Sequence, residues 1–295
     1  MRSYAFETWD VFTDRRFAGN PLAVVTDARG LSDEEMQLIA REFNLAETAF
    51  VLPPDDPAHT ARARIFTPAY EMPFAGHPTV GTAIAIATAR GLDGLLLLEL
   101  KAGLFPVAVE RAGAAAFAEF ENPNPPRERG PAPAVGLIEA ALSLPEGALD
   151  RAAHKPRRIG AGVDFVYARA SLEAVRAARL DNAAWARLDL AGVVGVLLYA
   201  EGGEAADAAY HARMFAPDAG VFEDPATGSA ACALPGQIAL SGALADGAHD
   251  WIVEQGFEMG RPSRIRVRFE TKGGEAGRVR VGGQAVPVSA GQLAL

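Results

Sequence analysis

Apolar and polar positions in this chain fall into short alternating runs punctuated by glycine and proline, with few stretches at helical spacing. Residues 6–12 alternate as a strand, and the turn Phe17-Ala-Gly-Asn-Pro21 feeds a second apolar strand that ends at Val25. Ser32, with Glu35 three residues on, forms a capping-box pattern. Met36, Ile39, Ala40 and Phe43 then keep helical spacing until Asn44. Residues 44–51 form an apolar, strand-like run interrupted by Glu47. Further strands are predicted at 61–66, 95–100, 106–110 and 114–120. Residues 122–133 carry too many prolines for helix or sheet and read as a linker. Beyond them the pattern predicts helices at 135–143 and 171–179, and strands at 165–168, 193–199, 209–215, 251–255, 264–269 and 277–281. Residues 282–295 alternate at Val286, Val288 and Leu293, and suit the sheet of either half.

One pattern is written twice. Arg64, Phe66 and Pro68 return as Arg213, Phe215 and Pro217, and each copy closes on Pro-x-x-Gly-[Ser/Thr]-Ala. Pro78, Gly81, Thr82 and Ala83 match Pro225, Gly228, Ser229 and Ala230 at an offset of 147 positions. Each copy predicts a strand, a Pro/Gly loop and a small-residue helix, at 82–90 and 229–240. A hydroxyl beside a glycine at such a helix start offers a side-chain cap and free N–H groups, hence an anion-binding end. The residue before the shared proline differs, His77 against Asp224, which suggests an asymmetric polar site.

The repeat divides the 295 residues into two similar domains. They are expected at 1–121, possibly completed by 284–295, and at 122–283, with an active-site cleft between them. The net charge of −9 and scattered arginines argue against nucleic-acid binding. No apolar run is long enough for a membrane helix, and the N-terminus shows no secretory pattern, so the expectation is a cytoplasmic protein with a small-molecule partner. A single cysteine, Cys232, rules out an intrachain disulfide.

Among the candidate chemical groups, Glu47 either faces solvent from an alternating strand or lies partly desolvated in a cleft. Burial without a partner would be costly, so the second placement implies function. His77, between Gly76 and Pro78, has the context of a tight turn, and Asp224 competes between function and turn or cap formation. Ser229, His77 and Asp224 could compose a hydrolase triad, but Gly-Ser-Ala-Ala is not the usual nucleophile elbow. His59, His154, His211 and His249 show no metal-ligand spacing, and neither a dinucleotide fingerprint nor a P-loop is present.

Five motifs in order carry a resemblance: Asp10-Val-Phe-Thr13 with Phe17-Ala-Gly-Asn-Pro21, Glu47-Thr-Ala-Phe50, Phe74-Ala-Gly-His-Pro-Thr-Val-Gly81, Glu223-Asp-Pro-Ala-Thr-Gly-Ser229, and Gln255-Gly-x-x-Met-Gly-Arg-Pro-Ser263. Together they resemble the phenazine-biosynthesis PhzF-like isomerase family, over residues 4 to about 269. The resemblance implies an α+β fold of the diaminopimelate-epimerase kind, with two pseudo-symmetric domains, each a mixed, largely antiparallel sheet wrapped round a central helix (79–90 and 227–240). It also implies a homodimer and a metal- and cofactor-independent trans-2,3-dihydro-3-hydroxyanthranilate isomerase-like enzyme that moves a proton within a small carboxylated substrate. Glu47 would be the acid/base, His77 and Asp224 would assist, and Gly76, Gly228 and Ser229 would bind substrate. Epimerases of this fold use two facing cysteines, which this chain lacks, and Cys232 is expected to be a packing residue. Outside this resemblance the readings are a non-catalytic metabolite-binding protein and the serine hydrolase.

Overall fold

The computed structural model describes residues 2–112 and 115–295. The chain forms two compact units, residues 1–121 with 282–295 and residues 122–281.

The first unit contains, in order, β1 (Ser3–Val11), β2 (Asn20–Val25), α1 (Asp33–Phe43), β3 (Glu47–Leu52), β4 (Ala61–Phe66), β5 (Glu71–Met72), α2 (Gly76–Arg90), β6 (Gly94–Leu100), β7 (Gly103–Ala112) and β8 (Ala115–Glu121). The predicted strand at 114–120 corresponds to β8, and residue 114 lies outside the described residues. β1 pairs antiparallel with β2, β2 parallel with β3, and β3 antiparallel with β4. β4 runs parallel to β6, and antiparallel ladders join β6 to β7 and β7 to β8. This mixed sheet wraps α2, which packs against β1, β2, β3, β7 and β8. Residues 76–87 of α2 are all buried, as a helix apolar on every side requires. Gly81 makes the approach possible: a Cβ there would lie 2.6 Å from Leu22 and 2.7 Å from Val11. α1 covers the outer face, where Met36, Ile39 and Ala40 meet Val25, Phe50 and Phe66. Its capping box is present as the sequence indicates, with the Ser32 hydroxyl accepting from Glu35 N–H and the Glu35 carboxylate accepting from Ser32 N–H.

The second unit repeats the plan with β9 (Arg127–Gly130), α3 (Val135–Ala141), β10 (Arg157–Gly160), β11 (Asp164–Arg169), α4 (Leu172–Ala177), α5 (Asn182–Trp185), β12 (Val196–Glu201), β13 (Ala208–Ala216), β14 (Val221–Asp224), α6 (Gly228–Leu240), β15 (Gly247–Gln255) and β16 (Ser263–Lys272). β11 and β12 are parallel, as are β13 and β15; the pairs β9/β10, β10/β11, β12/β13, β13/β14 and β15/β16 are antiparallel. β9 corrects the reading of 122–133 as a structureless linker. Its four residues fall between the prolines, so their N–H groups can join a ladder with β10. α6 is the buried central helix and packs against β9, β10, β11 and β16, while α3, α4 and α5 cover the outer face of β11 and β12 around Leu142, Val175 and Trp185. The last strand, β17 (Glu275–Ala294), begins in this unit and ends in the first, where residues 285–294 pair with β1.

No helix among the described residues is long and apolar enough to cross a membrane.

Candidate active site

The twice-written motif has a structural meaning in each unit. In β4, the Arg64 guanidinium lies over the Phe66 ring two residues on, 5.1 Å from its centroid, and Arg213 lies over Phe215 at 5.0 Å in β13. Residues i and i+2 of a strand share a face, which is why Arg-x-Phe recurs. Each arginine also meets a glutamate on the next short strand. Arg64 Nε bonds Glu71 at 2.7 Å, and Arg213 bonds both Glu223 oxygens at 2.8 Å. Sequence reasoning had not singled out either glutamate. The signal that could have found them is a carboxylate a few residues beyond each Arg-x-Phe, at the hairpin return.

The two hairpins set the true correspondence between the units. Phe66 faces Glu71 and Phe215 faces Glu223, yet the second return is three residues longer because it holds the 3-10 turn Pro217–Ala219. From there the helices α2 and α6 start 152 positions apart, not 147. The expected pairing of His77 with Asp224 is therefore corrected. His77 and Ser229 are each the second residue of their helix, while Met72 stands where Asp224 stands.

His77 is likewise in the first turn of α2 and not in a loop ahead of it, and it is buried. The expected hydroxyl caps are absent. The residue preceding α2 is Ala75, and Thr227, preceding α6, makes no side-chain cap; its hydroxyl donates to Asp224 Oδ2 at 2.5 Å. The first N–H groups of both helices thus have no side-chain cap.

Glu47 opens β3 beside Leu22 of β2, and its Oε2 lies 3.4 Å from His77 Nε2, with the carboxyl side chain 16% exposed. Of the two placements open in the sequence, this is the desolvated one. His77 gives a ring N–H to the carbonyl of Pro21. As Nε2 is turned to Glu47, the donor is Nδ1–H, so the neutral ring presents the Nε2 lone pair to the carboxyl. Burial drives the imidazole pKa down to about 3, which the Pro21 hydrogen bond only partly opposes.

The second unit has no counterpart of this pair. β3 and β4 align Thr48 with Phe66, and β12 and β13 align Val196 with Phe215, so Gly195 takes the place of Glu47. A Cβ at Gly195 would lie 2.2 Å from the Phe215 carbonyl oxygen, so the site accepts no side chain at all.

In the second unit Asp224 ends β14, half-buried, and Ser229 follows Gly228 in α6. Cys232 is buried in α6, accepts a hydrogen bond from Asn122 Nδ2 at 3.3 Å, and has its thiol pKa pushed up to about 12 by burial. The histidines of this unit have other partners than Ser229: His154 bonds Tyr199, His211 bonds Glu258, and His249 bonds the Ala245 carbonyl.

A family of phenazine biosynthesis-like proteins matches residues 9–291 of the chain. An uncharacterized isomerase of Mesorhizobium japonicum is 46% identical, over 99% of both chains. The trans-2,3-dihydro-3-hydroxyanthranilate isomerase of Pseudomonas aeruginosa is 37% identical over 97% of this chain and 98% of its own. The crystal structure of a phenazine biosynthesis protein of the PhzF family from Bacillus anthracis superimposes with a TM-score of 0.90 at 26% identity and covers both chains fully.

Proposed function

The chain belongs to the PhzC-PhzF family of phenazine biosynthesis-like proteins and is an isomerase, and we propose that it moves a proton within a small carboxylated substrate with Glu47 as its single acid/base group. The observation that carries this reading is the Glu47–His77 pair. Two basic groups face each other there, and their relative basicity decides which one keeps a proton. An imidazole with a pKa of about 3 is a weaker base than an ordinary carboxylate, near 4.3, so a proton taken from substrate stays on Glu47. Neutral His77 then accepts a hydrogen bond from the protonated carboxyl and holds it in place. A carboxyl so held can take a proton from one carbon and return it to another. The same carboxyl takes the proton and returns it, so the reading needs no cofactor.

The second unit supports a one-base reading, because Gly195 and Ser229 stand where Glu47 and His77 stand in the first. To Gly76, Gly228, Ser229 and Asp224 we assign the substrate. The uncapped helix starts offer N–H groups to a carboxylate and to negative charge that develops during proton transfer.

The test is turnover in deuterium oxide of trans-2,3-dihydro-3-hydroxyanthranilate and of a panel of small carboxylates. Wild type is expected to incorporate solvent deuterium into a turned-over substrate, and Glu47→Gln to lose on the order of 10² to 10⁴ in rate while keeping its fold. Unchanged exchange in Glu47→Gln removes Glu47 from the chemistry. Ligand binding with no exchange in wild type leaves a metabolite-binding protein instead.

A further inference from the structure

The motif that opens at Gln255 takes no part in the site described above, yet its first two residues are built against the turn that carries Asp224. Gln255 ends β15 and is buried. Its Oε1 accepts from the Thr227 backbone N–H at 3.1 Å, and its Nε2 donates to the Asp224 carbonyl at 2.6 Å. A backbone N–H can only donate and a carbonyl can only accept, so these two partners fix which end of the amide is which. The same Nε2 lies 3.0 Å from Thr227 Oγ1 and must donate to it. The Thr227 hydroxyl therefore accepts from Gln255 and sends its own proton to Asp224 Oδ2, 2.5 Å away.

Gly256 contributes the fit. Its φ is +78°, and a Cβ there would lie 2.6 Å from the Pro225 carbonyl oxygen and 2.4 Å from that of Arg261. Only a glycine lets the 255–261 turn press on the backbone at 225. The turn is anchored on its far side by Glu258, whose Oε1 lies 2.8 Å from Nε2 of buried His211 on β13.

We propose that Gln255 is a positioning residue: through Thr227 it fixes a one-way hydrogen-bond relay, Gln255 to Thr227 to Asp224, that holds the Asp224 carboxyl in one orientation, with Oδ2 as an acceptor. The role in catalysis rests on the assignment of Asp224 to substrate binding, but the relay itself does not. Gln255→Glu is the informative change. It keeps the shape and the acceptor for Thr227 N–H, removes the donor, and offers the Thr227 hydroxyl a competing carboxylate.

In protein labelled at threonine, nuclear magnetic resonance is expected to show a Thr227 hydroxyl proton protected from exchange, and Gln255→Glu and Gln255→Leu to speed its exchange at least about tenfold. No protected proton in wild type, or equal protection in the folded variants, overturns the relay. With trans-2,3-dihydro-3-hydroxyanthranilate as probe, Gln255→Glu and Thr227→Val are expected to raise KM about tenfold or more with a smaller change in kcat, and Thr227→Ser to restore it. Unchanged KM in Gln255→Glu overturns the positioning role. A wild type that shows the protected proton but turns over no substrate supports the relay and removes the isomerase reading instead.

Discussion

Arg213 and Glu223 face each other across the β13–β14 hairpin through two hydrogen bonds of 2.8 Å each, with the arginine side chain only 5% exposed. Arg213 Nη1 also donates to the carbonyls of Val175 and Ala178 at the end of α4, so one guanidinium ties the hairpin to a helix terminus. Removing the carboxylate would leave a buried cation short of its partner. Glu223→Ala is therefore expected to cost about 3 kcal/mol or more in urea unfolding. Its counterpart Glu71→Ala should cost less, because Arg64 is more exposed and keeps an ion pair with Asp33. Equal costs would show that burial does not set the strength of these pairs.

Two buried histidines give stability opposite dependences on pH. At His211, burial pulls the imidazole pKa down, but Glu258 and Glu254 outweigh it and the net shift is upward. Burial raises the Glu258 pKa, but the hydrogen bond to His211 and the charge of Arg213, 3.9 Å away, outweigh it and the net shift is downward, while Arg264 lies 3.6 Å from Glu254. A raised folded pKa means that His211 contributes stability in full below its unfolded value, about 6.5, and loses it as pH rises through the folded value. At His77 the folded pKa is about 3, so its contribution is present above about 6.5 and lost as pH falls toward 3. Urea midpoints from pH 4 to 9 are expected to fall on both sides. His211→Gln should flatten the alkaline limb alone, at up to about 1.4 kcal/mol per pH unit. An alkaline limb that persists in His211→Gln would assign it to another group.

Cys232 is expected to behave as a packing side chain. With its thiol at about 12 and fully buried, a thiolate is scarce at neutral pH and no reagent reaches it. Titration with a chromogenic disulfide should detect no thiol in the native protein and one per chain after denaturation. Prompt native labelling would mean that α6 opens far more readily than its packing implies.

The local signals in the sequence were legible where one element contains both partners. Ser32 and Glu35 are three residues apart, and their capping box is formed as read. The two small-residue helices were legible too, since glycine and alanine at close-packed positions leave a compositional mark, whereas the sheet wrapped round each of them was implied only by the family resemblance. The helix starts were not. Gly76, His77 and Pro78 look like a turn, but a proline in the first helical turn loses nothing, because its missing N–H has no intrahelical acceptor there. The register of the repeat was misread because Pro78 offers the same local spacing as Pro225, and only hairpin pairing shows that Pro73 holds the equivalent place. Gln255 could be seen as part of a motif but not as a staple, since its partners lie 28 and 31 positions away.

His77 provides the sharpest test of how the proposed site divides its labour. If the imidazole carried the proton, replacing it would be as damaging as replacing Glu47. If it only holds Glu47, an amide that can donate one hydrogen bond and accept another should serve in part. His77→Gln is expected to lower kcat by about ten- to a hundredfold, well short of the loss in Glu47→Gln, and His77→Leu to fall further because it offers the carboxyl no acceptor. The pH profile separates the roles independently. With a pKa of about 3, His77 is neutral throughout the working range, so no limb of the profile near pH 6 to 7 belongs to it. A limb in that range that disappears in His77→Gln would reverse the assignment and make the imidazole the acid/base group.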